Sequence, residues 1–189
     1  SPLNTFYGDA GNNMSNHSKG GDDTYMGGAF ANNIFYGDAA VSLSDHAQGG
    51  DDTFTAFPFF AENTFYGDTG GSMSDHSKGG NDTFTATVPR VDYIFYGDAV
   101  HSIFNSARGG DDTFTGLSMS TTTAYGDAGE DMSNRSKGGN DTFLSGRGRQ
   151  QENTFYGDAG GVLSGHAEGG DDTFITETVQ GADHTFYGD

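Results

Sequence analysis

Apolar residues recur along the chain in short segments that are separated by polar, glycine-rich stretches. One kind of segment is typified by Phe65 in Phe-Tyr-Gly-Asp, and another by Phe84 between two threonines, with the single apolar residue Met73 between them. Each segment is too short and too interrupted by glycine for a helix, and the alternation of Phe with Thr is typical of half-buried strands. The pattern predicts three inward side chains per period and no helix.

The segments repeat with a period near thirty residues. From each Tyr-Gly-Asp aspartate to the next Gly-Gly-x-Asp aspartate the distance is always 14 residues, whereas the return to the next period takes 15 to 17. The constant interval indicates a fixed structural unit and the variable one an outward loop. Such a period predicts a stacked repeat architecture. We therefore expect an all-β fold, a parallel β-roll or β-solenoid of about six repeats, with a closed six-fold, propeller-like ring as the alternative.

The whole chain, 1–189, is interpreted as one repeat array. Both ends of the sequence fall inside a repeat, which predicts a segment of a longer protein. The start has neither a charged leader nor an apolar run, so no signal peptide is expected. The predicted periods are approximately 4–32, 33–62, 63–92, 93–121, 122–152 and 153–183, followed by a partial period at 184–189.

The net charge of −19 changes this picture, because a chain so acidic with only 32% hydrophobic residues has a composition typical of disorder. Regular repeats and a disordered composition are compatible if a partner neutralises the acid and lets a thin core form. A divalent cation would remove the repulsion between stacked carboxylates. The absence of cysteine excludes disulfides and cysteine metal sites. With 8 basic residues against 27 acidic ones and no long apolar stretch, we expect neither nucleic-acid binding nor a membrane span.

The repeated aspartates are the candidate metal ligands, because Ca²⁺ takes six to eight oxygens from carboxylates and backbone carbonyls. We expect several calcium ions, roughly one or two per repeat. The glycine pairs should allow left-handed backbone and a close approach of carbonyls to an ion. The candidate glycines are Gly20, Gly21, Gly49, Gly50, Gly79, Gly80, Gly109, Gly110, Gly138, Gly139, Gly169 and Gly170. The candidate ligands are Asp9, Asp23, Asp38, Asp52, Asp68, Asp82, Asp98, Asp112, Asp127, Asp141, Asp158, Asp172 and Asp189.

The Gly-Gly opening and the Asp-x-apolar close of residues 79–84 resemble the calcium-binding nonapeptide of the repeats-in-toxin (RTX) family. Residues 65–70 resemble a strand-first variant of the same motif, and the arc between the two is not part of it. The resemblance implies a secreted bacterial protein that leaves the cell by type I secretion, remains unfolded where calcium is scarce and forms a β-roll outside. It implies a structural, calcium-binding module of an adhesin, toxin or exoenzyme.

Other surface columns supply the alternatives. The outward tyrosines, among them Tyr36, Tyr66, Tyr96 and Tyr156, could bind a cell-surface glycan or protein, and paired outward threonines could form an ice-binding array. A histidine column is compatible with a transition-metal ladder or a surface role; its members are His17, His46, His76 and His166. Serines near these histidines lack an oxyanion device, so no enzymatic activity is expected.

Overall fold

In the computed structural model of the protein, the described residues are 2–27, 31–56, 62–87, 91–116, 121–146, 152–177 and 181–188. Each of the first six runs is one coil of a solenoid, and these runs are numbered coils 1 to 6 in chain order. The strands are β1 Leu3–Tyr7, β2 Asn13–Met14, β3 Thr24–Met26, β4 Asn32–Tyr36, β5 Ser42–Leu43, β6 Thr53–Ala56, β7 Asn63–Tyr66, β8 Ser72–Met73, β9 Thr83–Ala86, β10 Tyr93–Tyr96, β11 Thr113–Thr115, β12 Thr121–Tyr125, β13 Thr142–Ser145, β14 Glu152–Tyr156, β15 Thr173–Thr176 and β16 Asp183–Tyr187.

Parallel pairing between successive coils builds three sheets. The first has the strand order β1-β4-β7-β10-β12-β14-β16, the second β15-β13-β11-β9-β6-β3 and the third β2-β5-β8. Equivalent repeat positions are paired, as Phe35 is with Phe65 and Phe54 is with Phe84. The predicted all-β parallel β-solenoid is thereby confirmed. The alternative closed ring is not observed, because β1 and β16 are opposite ends of one sheet.

The core consists of side chains stacked in columns along the solenoid axis. Ring centroids lie 5.3 Å apart for Phe35 and Phe65 and 5.3 Å apart for Phe54 and Phe84. The aliphatic column that includes Met73 packs with alanines in a second cluster. Phe65, Met73 and Phe84 are all fully buried, which confirms the three predicted inward positions. Each such side chain contributes roughly 1.5–3 kcal/mol through burial.

A short third strand lies in the arc between the two motifs, as β5 (Ser42–Leu43) illustrates. Two successive residues in the left-handed region follow it; in coil 3 these are Asp75 with φ 54° and His76 with φ 64°. Asp, Asn and His tolerate this conformation better than most residues. The left-handed backbone expected at the Gly-Gly pairs was therefore wrong: among described glycines only Gly165 and Gly181 have positive φ.

Candidate cation site in two aspartate columns

The first aspartate column consists of the aspartates that end the Tyr-Gly-Asp segments. Each carboxylate accepts a hydrogen bond from the Gly-Gly pair of its own coil. In coil 3 the Gly80 N–H donates to both carboxylate oxygens of Asp68, at 3.0 and 3.2 Å. This bond holds the two motifs of one coil together, which gives a physical reason for their constant spacing. The members of the column are Asp9, Asp38, Asp68, Asp98, Asp127 and Asp158.

Carboxylates of adjacent coils in this column approach each other in pairs. A Cβ atom built on Gly79 would lie 1.7 Å from Oδ1 of Asp98 and 2.3 Å from Oδ2 of Asp68. The same convergence occurs beside Gly49, where the two oxygens belong to Asp68 and Asp38. Only glycine leaves room for both carboxylates at this position. Because two neighbouring carboxylates cannot both be ionised without compensation, each pair requires a shared proton or a cation.

The pKa values of this column reflect that requirement. Burial, with the neighbouring Asp68 adding to the effect, raises the pKa of Asp38 to about 11. Burial raises the pKa of Asp68 only to about 6, because hydrogen bonds from Asp98, Asp38 and the Gly80 N–H favour its ionised form. Burial also raises the pKa values of Asp98 and Asp127 well above their ordinary value. Without another cation, the column therefore holds protons at neutral pH.

The second aspartate column consists of the Gly-Gly-x-Asp aspartates Asp23, Asp52, Asp82, Asp112, Asp141 and Asp172. From Asp52 onward, the Oδ1 atoms accept backbone N–H groups of the coil before, as Asp112 accepts the Asp82 N–H at 2.6 Å. The Oδ2 atoms of Asp52, Asp82, Asp112 and Asp141 are buried and have no hydrogen-bond partner. Asp82 is only 1% exposed and Asp112 only 2%. A buried carboxylate oxygen without a donor is costly, so each of these oxygens calls for a proton or a cation.

The two columns are close enough to affect each other's ionisation. Burial is the first cause of the raised pKa of Asp82, and the charge of Asp68 is the next. For Asp98 the corresponding second cause is Asp112. Burial raises the pKa of Asp52 to about 8, although a backbone hydrogen bond opposes the shift. The two columns therefore lie within electrostatic range of each other along the inner coils.

Glycine carbonyl oxygens lie beside the second column. A Cβ atom built on Gly67 would lie 1.9 Å from the carbonyl oxygen of Gly97 and 2.0 Å from Oδ2 of Asp82. A Cβ atom on Gly97 would likewise lie 1.9 Å from the Gly126 carbonyl oxygen and 1.8 Å from Oδ2 of Asp112. A carboxylate from one coil thus meets a carbonyl from the next. Carboxylate and carbonyl oxygens are the ligands that calcium prefers.

Replacing Gly67 with Ala should destabilise the folded protein by about 1–3 kcal/mol or more, because the added methyl group would collide with the Gly97 carbonyl. Relief of this collision requires the two coils to separate. Urea unfolding in calcium would measure the loss. Gly11→Ala is the matched control, because a Cβ atom there meets nothing within 4 Å. Equal stability of the two variants would show that the close approach at Gly67 is not needed.

The predicted ligands differ in burial along the array. Those of coils 2 to 5 and Asp158 of coil 6 are buried, whereas Asp9 is exposed and Asp23 and Asp172 are half-buried. Asp189 lies outside the described residues. The predicted Gly-Gly glycines do line the columns, but they serve close packing instead of a left-handed backbone. The best-formed candidate sites therefore lie between the inner coils.

No basic side chain in the described part of the chain pairs with the buried aspartates of coils 2 to 5. The described ion pairs, His101 with Glu130 and Lys137 with Glu168, both lie on the surface. Within the described ranges, no three His, Cys, Asp or Glu side chains form a ready-made metal cluster. The carboxylates converge in twos, so a bound cation would complete its shell with backbone carbonyls and water. The type of donor fits a hard cation.

The outward tyrosines form a continuous stack. Ring centroids lie 4.7 Å apart for Tyr36 and Tyr66 and 5.5 Å apart for Tyr66 and Tyr96, and the stack continues through Tyr125 to Tyr156. The ring faces are therefore occupied by neighbouring tyrosines, whereas a sugar ring would need an open face. This geometry gives the glycan alternative no support.

The outward threonines align in register on the second sheet. Thr53, Thr83 and Thr113 form one row, and Thr55, Thr85 and Thr115 form a parallel row two residues further along the strands. In coils 1 and 5 the second row is occupied instead by Met26 and Leu144. The double row of hydroxyls is therefore confined to three coils. It supports ice binding less strongly than the buried carboxylates support cation binding.

Comparison with protein-family models, curated proteins and solved structures gives no match to this chain. Among the residues described, there is no helix with the length and apolarity to cross a membrane. The class is therefore defined by the chain's own structure: a tandem-repeat parallel β-solenoid that contains two buried aspartate columns.

Proposed function

We propose that this chain is a calcium-binding structural repeat module, and that its solenoid forms when cations enter the two aspartate columns. The observation that carries this proposal is the set of buried Oδ2 atoms without hydrogen-bond partners at Asp52, Asp82, Asp112 and Asp141. Calcium fits better than magnesium, because it accepts a variable number of mixed oxygen ligands, while transition metals favour nitrogen and sulfur. The net charge of −19 leaves room for one or two divalent ions per coil.

Cation binding and folding would be one event, because the candidate sites span two coils. Asp68 and Asp98 converge beside Gly79, and the Gly97 carbonyl reaches Asp82 only when the next coil is stacked. The unfolded chain has no such convergence. A ligand that binds only the folded state stabilises it in proportion to the logarithm of ligand concentration. Calcium would thus be a condition for a thin, acidic core to persist.

This coupling supports an extracellular role. Extracellular calcium modules bind at about 10⁻⁴–10⁻³ M, so such a chain would stay unfolded where calcium is scarce and fold where it is abundant. We accordingly propose a secreted bacterial protein of the RTX kind, exported unfolded by type I secretion. The array would serve as a folding and spacing module of an adhesin, toxin or exoenzyme, with no catalytic role of its own.

Removing calcium at neutral pH should abolish the β-sheet signal in circular dichroism, and adding calcium should restore it. The reason is that the calcium-free columns can be buried only with protons bound, whereas the unfolded chain releases those protons at neutral pH and is favoured for that reason. Calorimetric titration would give the number of ions. Magnesium at the same concentration is the control for general charge screening and should restore the signal less effectively. A β spectrum that persists unchanged in a calcium chelator would overturn the proposal.

A further inference from the structure

A column of exposed imidazole rings runs along the arc, separate from the aspartate columns. The ring centroids of His17 and His46 lie 4.8 Å apart, and those of His46 and His76 lie 5.0 Å apart. The planes of the second pair differ by only 6°. All three residues are exposed. Three imidazoles from successive coils therefore stand side by side on the surface.

The backbone does not require histidine at this position. His46 and His76 have φ values of 63° and 64°, and Ser106 and Arg135 occupy the equivalent positions of coils 4 and 5 with φ of 62° and 64°. Serine and arginine are thus accommodated in the same left-handed conformation. Burial does not require histidine either, because the rings are exposed. The run of three imidazoles is consequently not explained by the needs of the fold.

The main chain holds these histidines at a fixed spacing. The His17 N–H donates to the carbonyl oxygen of Asp45 at 3.0 Å, and the His46 N–H donates to that of Asp75 at 3.0 Å. Each bond connects one coil to the next. The Cα atoms are therefore held in place by the solenoid, while the exposed side chains remain free to rotate about their own bonds. Such a scaffold reduces the entropy lost when two rings bind one ligand.

We propose that this column binds one divalent transition-metal ion, of the Zn²⁺, Ni²⁺ or Cu²⁺ class, through two adjacent histidines that include His46. Imidazole nitrogen is a preferred ligand of these metals but not of calcium. Metal–nitrogen bonds of about 2.0–2.1 Å at the tetrahedral angle put two bound nitrogens about 3.3–3.4 Å apart. The ring centroids now lie 4.8 or 5.0 Å apart, so binding requires the exposed side chains to rotate until one nitrogen of each ring points at the shared ion. Water completes the coordination.

Zinc titration of the full chain by calorimetry, in calcium-containing buffer that occupies the aspartate columns, tests this site. One zinc ion per chain is expected, because both possible pairs share His46. His46→Ala leaves His17 and His76 without an adjacent imidazole and should weaken binding by about 10-fold or more, as changes around metal ligands commonly do. His17→Ala and His76→Ala each keep one pair and should retain most of the affinity.

His166 provides the matched control. It has the same left-handed backbone, with φ of 65°, but Arg135 instead of histidine precedes it in the column. His166→Ala should therefore leave zinc affinity unchanged. The electron paramagnetic resonance spectrum of bound Cu²⁺ should show coupling to two imidazole nitrogens in the wild type and to no more than one in His46→Ala. Absence of zinc binding, or equal losses in His46→Ala and His166→Ala, would overturn the proposal. Circular dichroism in calcium checks folding of every variant, so this outcome is separable from failure of the calcium proposal.

Discussion

Calcium-free protein should be most stable at acidic pH and should lose stability as the pH rises, the reverse of ordinary acid denaturation. The cause is the raised pKa of the buried carboxyl groups: about 6 for Asp68, about 8 for Asp52 and about 11 for Asp38 in the folded chain, against an ordinary value of 3.8. Below the ordinary value both states are protonated, and the contribution to stability is fully present. It is lost progressively as the pH rises through the three folded-state values.

Calcium should reverse this dependence, because the ion binds carboxylates and competes with their protons. The stability of the calcium-loaded protein should therefore rise from acidic to neutral pH, and the two curves should cross. Urea unfolding of resin-stripped and calcium-saturated protein, followed by circular dichroism across this range, would measure both curves. Near-ultraviolet spectra of the stacked tyrosines would confirm that the acidic state is packed. A calcium-free protein that is less stable at acidic than at neutral pH would contradict the interpretation of the columns.

The repeat pattern predicted the solenoid because each part of the pattern has a local physical cause. Phe65, Met73 and Phe84 are inward in every geometry that stacks equivalent strands, so their spacing alone identified the three columns of the core. The constant interval between the motifs also has a local cause, the hydrogen bond from Gly80 to Asp68 within one coil. Features that depend on contacts within one coil could therefore be predicted from the sequence.

Features that depend on contacts between coils were harder to predict from the sequence. The pairing of Asp68 with Asp98 beside Gly79 depends on how one coil lies on the next, which spacing along the chain does not specify. A buried amide ladder, in which the Asn33 side chain donates to Asn63 Oδ1 at 2.8 Å, was missed for the same reason. Its only sequence signal was an asparagine that recurs before the first strand's aromatic residues. A left-handed backbone at the Gly-Gly pairs was predicted from glycine's conformational freedom. In the inner coils the structure instead requires glycine there because any side chain would collide with a neighbouring coil.

Asp68→Asn should have effects of opposite sign in the two states of the protein. In calcium-free protein it should favour the folded state by roughly 1–3 kcal/mol as the pH rises to neutral, because it replaces a buried carboxylate that would ionise with a neutral group of the same shape, so the β-sheet signal should persist to higher pH than in the wild type. The amide can accept a hydrogen bond from one of the neighbours Asp38 and Asp98 through its oxygen and donate one to the other through its nitrogen. In calcium it should weaken ion binding by about 10-fold, equivalent to about 1.4 kcal/mol, because a charged ligand is lost. Circular dichroism of calcium-free protein as a function of pH and calorimetric titration with calcium measure these two effects separately.

Asp51→Asn is the matched control for this change. Asp51 is the exposed residue that precedes the second-column aspartate of coil 2. The equivalent positions of coils 3 and 5 already hold Asn81 and Asn140. The substitution removes the same charge at an exposed position, and Asn can still accept the Asn81 N–H through its oxygen. Because the charge of Asp51 is only the last of the causes that act on the pKa of Asp68, stability and calcium affinity should change much less than in Asp68→Asn. If Asp68→Asn instead destabilised the calcium-free protein and left calcium affinity intact, the first column would be a structural hydrogen-bond acceptor. The dependence of the fold on cations would then have to arise elsewhere.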